Sequence, residues 1–253
     1  TENVIVGIDA GDAITTGDHV TAIGSEAGSA NTTGYSNTFI GREAGKANTE
    51  GFNNTFVGRG AGQANTNADS NTFIGDIAGG SVTTGGANIM IGHTAGDGFD
   101  TETNNLGIGT AALGGSIAGG EYNVAIGNGT LDALTSGDGN TAVGYNAGTA
   151  ATTGGLNTML GKDAGSGVLT DAAGHNLMLG YEAGYNVTSG TNNTLVGGKG
   201  PGYSMTTGAN NIFIGFETGD GNDAENNNLG IGNSALGGSI AGGEYNVAIG
   251  NYA

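Results

Sequence analysis

The sequence predicts an all-β fold, a parallel β-roll or β-solenoid of about fifteen coils with a period of 17 to 19 residues. Three observations predict it. A five-residue block, Asn-x-x-(Ile/Val/Leu)-Gly, opens at residues 3, 20, 37, 54, 71, 88, 105, 123, 140, 157, 176, 193, 211, 228 and 246, with Val20 the one departure from Asn. Turn residues recur at fixed offsets from each block. Glycine supplies 56 of the 253 residues and proline one. So much glycine suits either disorder or a backbone pinched at regular intervals, and the steady period selects the second. Residues 1–253 therefore read as one repeat domain. Both ends of the chain fall inside a repeat, so it is expected to be a segment of a longer fibre.

Each block reads as a short strand. Alternate residues of a strand point to opposite sides, so the second and fourth positions share a face and the third points the other way. The fourth is always Ile, Val or Leu; the second is Thr or aliphatic, as in Thr38, Ile89, Leu106 and Val124. Such side chains stack well in ladders, and this face is expected inside the coil. The third position would then form an outward apolar stripe of Phe39, Phe56, Phe73, Met90, Met159, Met178, Leu195 and Phe213. A stripe of that size predicts association of copies, most simply a cyclic homotrimer with these residues at its interface. The competing assignment places the stripe in the coil interior and Thr outside.

Two corners follow from the punctuation. Ala-Gly recurs three residues after the block's Gly, as at Ala44-Gly45 and Ala61-Gly62, and marks a tight inward corner. Thr-(Thr/Ser)-Gly precedes the next block, ending at Gly17, Gly34, Gly85, Gly154, Gly190 and Gly208, where Gly is expected to supply a positive φ. The opening Asn tolerates left-handed geometry, and its amide can bond to the coils above and below. A longer repeat overlies the short one: Asn105 to Asn128 recurs almost verbatim from Asn228 to Asn251, an offset of 123 residues or seven coils.

Charge and composition exclude several functions. The 23 acidic and 5 basic residues give a net charge of −18, which repels nucleic acid and anionic lipid head groups and keeps a repetitive β-surface soluble. There is no Cys, hence no disulfide, thiolate metal site or cysteine nucleophile. No apolar run approaches membrane-spanning length, so membrane insertion is not expected.

Catalysis needs convergent groups, and His19, His93 and His175 occupy different coils, so the chain is not expected to be an enzyme. The candidate metal site is Asp97, Asp100 and Glu102, with its copy Asp220, Asp223 and Glu225. Hard oxygen ligands round a Gly turn suit calcium, against the plainer reading of a solvated acidic turn. Otherwise no cofactor is expected. Tyr145, Tyr181 and Phe216 each follow a block Gly and share one column as candidate ligand residues that could stack on sugar rings. Arg42, Arg59 and Lys162 occupy the same column.

Blocks such as Asn123 to Gly127, Asn140 to Gly148 and Asn246 to Gly250 resemble the head repeats of trimeric autotransporter adhesins, and are similar to repeats in bacteriophage tail fibre shafts. The resemblance covers the whole chain. It implies a trimer of left-handed parallel β-rolls, outside the cell on a virion or bacterial surface, acting in attachment to a host glycan or protein. The coils are longer than those of the adhesin heads, and the stretch from Asn31 to Asn37 looks more like the phage version. The expected function is thus a structural and adhesive fibre segment, as in a tail fibre; the alternatives are an adhesin head and an ice- or surface-binding β-solenoid. A Thr ladder at Thr38, Thr55 and Thr72 supports the last, although it lapses at Ile89, Leu106 and Val124.

Overall fold

A computed structural model of the chain describes residues 2–115, 119–170, 173–238 and 242–253. It is an all-β solenoid of parallel three-residue strands, one per repeat block, as the periodicity predicts. Two compact units divide it, residues 1–122 and 123–253. The first carries β1 (Val4–Val6), β2 (Thr21–Ile23), β3 (Thr38–Ile40), β4 (Thr55–Val57), β5 (Thr72–Ile74), β6 (Ile89–Ile91) and β7 (Leu106–Ile108). The second carries β8 (Val124–Ile126), β9 (Thr141–Val143), β10 (Thr158–Leu160), β11 (Leu177–Leu179), β12 (Thr194–Val196), β13 (Ile212–Ile214), β14 (Leu229–Ile231) and β15 (Val247–Ile249). Both copies of the longer cassette lie in this framework, except for 116–118 and 239–241, which fall outside the described residues.

Equivalent block positions pair from coil to coil, so each repeat position becomes a column. Phe39 lies beside Phe56 and Phe56 beside Phe73, while Thr38, Thr55 and Thr72 form the adjoining row. Insertions of one or two residues are absorbed in the loops. Leu177 pairs with Thr158 although 19 residues separate them.

The face assignment from sequence is reversed. Phe39, Phe56, Phe73, Met90, Met159, Met178, Leu195 and Phe213 have no solvent exposure in the single chain and form its core, so they are not an interface between copies. The corner glycines explain why. A Cβ on Gly28 or Gly45 would lie 2.5 or 2.4 Å from the Phe39 ring, so the interior is only as deep as one large side chain closing against bare backbone. The second and fourth strand positions, Thr, Val, Ile and Leu, therefore face out.

In three coils interior volume is exchanged between strand and corner. Where the third position shrinks to Gly107, Ala125 or Gly230, the corner glycine becomes Leu113, Leu131 or Leu236. Leu113 and Leu131 are fully buried, and the Leu113 side chain reaches to 3.6 Å from where a Cβ on Gly107 would stand. These leucines keep the corner's left-handed backbone, with φ of 54°, 51° and 50°. Left-handed leucine costs about 1–3 kcal/mol, less than an unfilled core.

The glycine that closes each strand is required by a close approach. Gly58 has φ of 138°, and a Cβ there would stand 2.1 Å from the carbonyl oxygen of Gly75 in the next coil. The glycines of Thr-(Thr/Ser)-Gly are needed for the same kind of reason and not for positive φ. A Cβ on Gly34 would meet the Gly51 carbonyl at 2.4 Å, and the left-handed residue comes two positions later, at Ser36 with φ of 55°.

The opening Asn works through its amide. Asn54 Nδ2 donates to the Ala68 carbonyl at 2.7 Å, its Oδ1 accepts from the Asn71 backbone at 3.0 Å, and its own N–H donates to Asn37 Oδ1 at 2.9 Å. The ladder recurs coil after coil and satisfies backbone groups that water cannot reach.

Candidate functional site

With the large residues inside, the outward face of the strands becomes the principal surface feature. In the first unit seven strands present two side chains each, fourteen in all, of which Thr21, Thr38, Thr55 and Thr72 are polar and ten are Val, Ile or Leu. In the second unit eight strands present sixteen, three Thr and thirteen aliphatic. None is charged. Ile40 and Ile74 are 37% and 38% exposed although each has Val or Ile above and below, and Ile212, between Thr194 and Leu229, is 42% exposed. At about 4.8 Å per strand and 3.3 Å per residue, each unit's face projects roughly 300–400 Å². That reaches the size of the largest apolar patches on soluble monomers, which are commonly functional.

The two edges of this face differ in charge. The column just before the strands holds Asp18, Tyr35, Phe52, Asp69 and Glu121 in the first unit, and Asp138 and Glu244 in the second. Tyr35 and Phe52 stack there with centroids 4.9 Å apart. The column just after the strands holds Arg42, Arg59, Lys162 and Lys199, four of the five basic residues of the chain, and also Asp76. Each is paired: Arg42 with Glu43 at 3.2 Å, Arg59 with Asp76 at 2.8 Å, Lys162 with Asp163 at 3.2 Å and Lys199 with Glu217 at 2.6 Å. Hydrogen bonds donated to Asp163 and Glu217 raise the pKa of Lys162 and Lys199. Lys46, one turn further on, bridges Glu26 and Glu43.

Tyr145, Tyr181 and Phe216 do share this second column and are exposed, in alternation with lysine. Lys162 lies 5.2 Å from the Tyr181 centroid and Lys199 5.6 Å from that of Phe216, within cation–π range. Lys199 was missed from sequence because an extra residue, Gly198, delays it by one position after the strand. A second aromatic pair was missed as well: Tyr185 and Tyr203 stack with centroids 5.0 Å apart and planes 8° from parallel.

The acidic turns have a structural use. Glu102 is buried; its Oε2 accepts the backbone N–H groups of Asp100 and Thr101 at 2.8 and 3.0 Å, and its Oε1 that of Gly119 at 2.9 Å. Glu225 repeats the arrangement with Asp223 at 2.8 Å, Ala224 at 3.1 Å and Gly242 at 3.0 Å. Burial pushes the Glu225 carboxyl up, but the backbone donors from Asp223, Gly242 and Ala224 outweigh it and leave the pKa lowered. Asp100 and Asp223 accept from the hydroxyls of Thr83 and Thr206. Asp97 and Asp220 sit outside these clamps, and among the described residues no three His, Asp or Glu side chains converge as a metal site.

Comparison with protein-family models, curated proteins and solved structures finds no match to this chain, so its chemistry is read from the geometry alone.

Proposed function

We propose that the chain is a segment of a homo-oligomeric extracellular fibre with a structural and adhesive role, its copies held together through the outward faces of the strands. The observation that carries this reading is the uncharged aliphatic face on a chain of net charge −18. Charge is spread over the loops and withheld from the one surface that a neighbouring copy would cover. Burying it contributes about 25 cal/mol per Å² of apolar area, a favourable balance for two or three copies sharing one axis.

The unlike edges favour copies running in the same direction. Rotation about an axis along the solenoid sets the column of ion pairs of one copy against the acidic column of the next. An antiparallel pair sets acid against acid. Three narrow faces, each two side chains wide, close around a threefold axis, the assembly that the resemblance to tail fibre shafts and autotransporter adhesin heads also implies. Attachment to a host surface is the role we assign to such a fibre. Placing charge on the face with Ile40→Asp and Ile74→Asp tests the arrangement: the variant should stay folded and lose its copies, and an assembly of unchanged mass would refute it.

A second reading is favoured by one observation. Thr21, Thr38, Thr55 and Thr72 form an outward row beside Ile23, Ile40, Val57 and Ile74, a regular array of hydroxyls and methyls of the kind that binds ice. Thermal hysteresis in the solution that Thr38→Lys abolishes would establish it.

A further inference from the structure

We propose that a hollow beside Tyr203 in the second unit is a subsite for a neutral pyranose ring of a glycan. It deepens the adhesive reading and rests on it. The hollow encloses about 260 Å³ and is lined by Glu182, Lys199, Gly200, Tyr203, Glu217 and Asp220. That is room for one ring, smaller than most drug-sized sites.

It lies where the repeat departs from its own rule. The coil from Asn193 has one residue more than the 17-residue norm and carries the chain's one proline, Pro201, at the corner where other coils have Ala or Thr. Gly200 takes a left-handed φ of 47°, and a Cβ there would stand 3.1 Å from the Tyr203 Cβ, so glycine lets the tyrosine lie close against the corner. Tyr185 stacks behind Tyr203 and holds it upright. Asp220 occupies the same column in the next coil and lines the hollow together with Tyr203.

The rim has the chemistry of sugar recognition. An aromatic face packs against the C–H face of a pyranose, while carboxylates accept and an ammonium donates hydrogen bonds to its hydroxyls. Glu182, Glu217 and Asp220 are acceptors and Lys199 is the donor, fixed by its contact with Glu217. Burial, reinforced by Glu217 and opposed by Lys199, raises the Asp220 pKa, as expected where a carboxylate is drawn partly out of water. Three acidic groups against one basic group leave the rim negative, which disfavours sialylated or sulfated sugars and favours neutral ones.

The test is binding of the full chain to immobilised neutral hexose and N-acetylhexosamine oligosaccharides, with sialylated and sulfated ones alongside, and to whole cells. Neutral glycans should bind, and Tyr203→Ala should weaken them about tenfold, the loss of one stacking face. Tyr203 lies outside the core, so circular dichroism should show the variant folded. Tyr35→Ala, in the other stacked pair, should bind as the parent does. Equal binding by Tyr203→Ala, equal losses for both variants, or binding confined to anionic sugars would overturn the subsite. Cell binding that survives Tyr203→Ala overturns the subsite and leaves the adhesive reading standing. Absence of binding to every cell and glycan sinks both.

Discussion

Replacing Phe56 by Ala probes the core most sharply. The side chain is fully buried, stacked on Phe73 with centroids 4.9 Å apart and planes 6° from parallel, and tilted on Phe39 at 5.5 Å. Truncating a buried Phe costs about 3–5 kcal/mol through lost transfer and residual cavity, and each aromatic neighbour adds roughly 0.5–1.5 kcal/mol. The site collapses poorly, because the wall facing the ring is Gly62, whose missing Cβ would stand 2.6 Å from it, and backbone tied into the coil ladder cannot move in. A loss of about 4–8 kcal/mol is therefore expected, a large part of a typical domain's stability of about 5–15 kcal/mol. Because a solenoid is stabilised chiefly between neighbouring coils, the loss should be centred on the coils of Phe39, Phe56 and Phe73. Guanidinium unfolding followed by far-ultraviolet circular dichroism reads the total, and amide hydrogen exchange reads its position. A change below about 1 kcal/mol, as for a residue facing solvent, would refute the assignment of the stripe to the interior.

Other outcomes follow from the same geometry. Gly58→Ala should cost about 3 kcal/mol or more, since it forces a left-handed backbone against the Gly75 carbonyl, and a thermal melt within a degree or two of the parent would contradict this. Asn54→Ala leaves the Asn71 N–H and the Ala68 carbonyl buried without partners, at about 1–3 kcal/mol each, again read by thermal melting. The lowered Glu225 pKa means that the folded state holds its proton less tightly than the unfolded chain. Its contribution is therefore present above the ordinary carboxylate value near 4.5 and is lost as pH falls through the lower folded value. Glu225→Gln should accordingly flatten the acid limb of melting temperature against pH, and an unchanged limb would remove the clamp from the explanation.

The repeat, the parallel strands and their register were legible because position recurs as structure: Asn37, Asn54 and Asn71 announce one column and Phe39, Phe56 and Phe73 another. Which face lies inside was not, because the strand alternates between two apolar sets and hydrophobicity does not rank them. The deciding signal lay elsewhere in the repeat. Corner leucines pair with Gly107, Ala125 and Gly230, and corner glycines lie against a large side chain of their own or a neighbouring coil, as Gly28 and Gly45 both lie against Phe39, so the third position and the corner share one volume. The acidic turns read as ligands because sequence cannot show that Glu102 and Glu225 spend both oxygens on backbone N–H groups. Tyr145, Tyr181 and Phe216 were found by counting from the block, whereas Lys199 escaped because Gly198 shifts the count, and Tyr203 because its neighbours in the column are Tyr185 and Asp220.

The most direct measurement is the mass of the purified chain in solution by light scattering across a range of concentrations. Copies joined through the strand faces should give a small closed multiple of 24.4 kDa, three for the threefold arrangement, which reverts to one when Ile40 and Ile74 carry charge. A chain that stays at 24.4 kDa at the highest concentration, with its aliphatic face in water, would contradict the assembly.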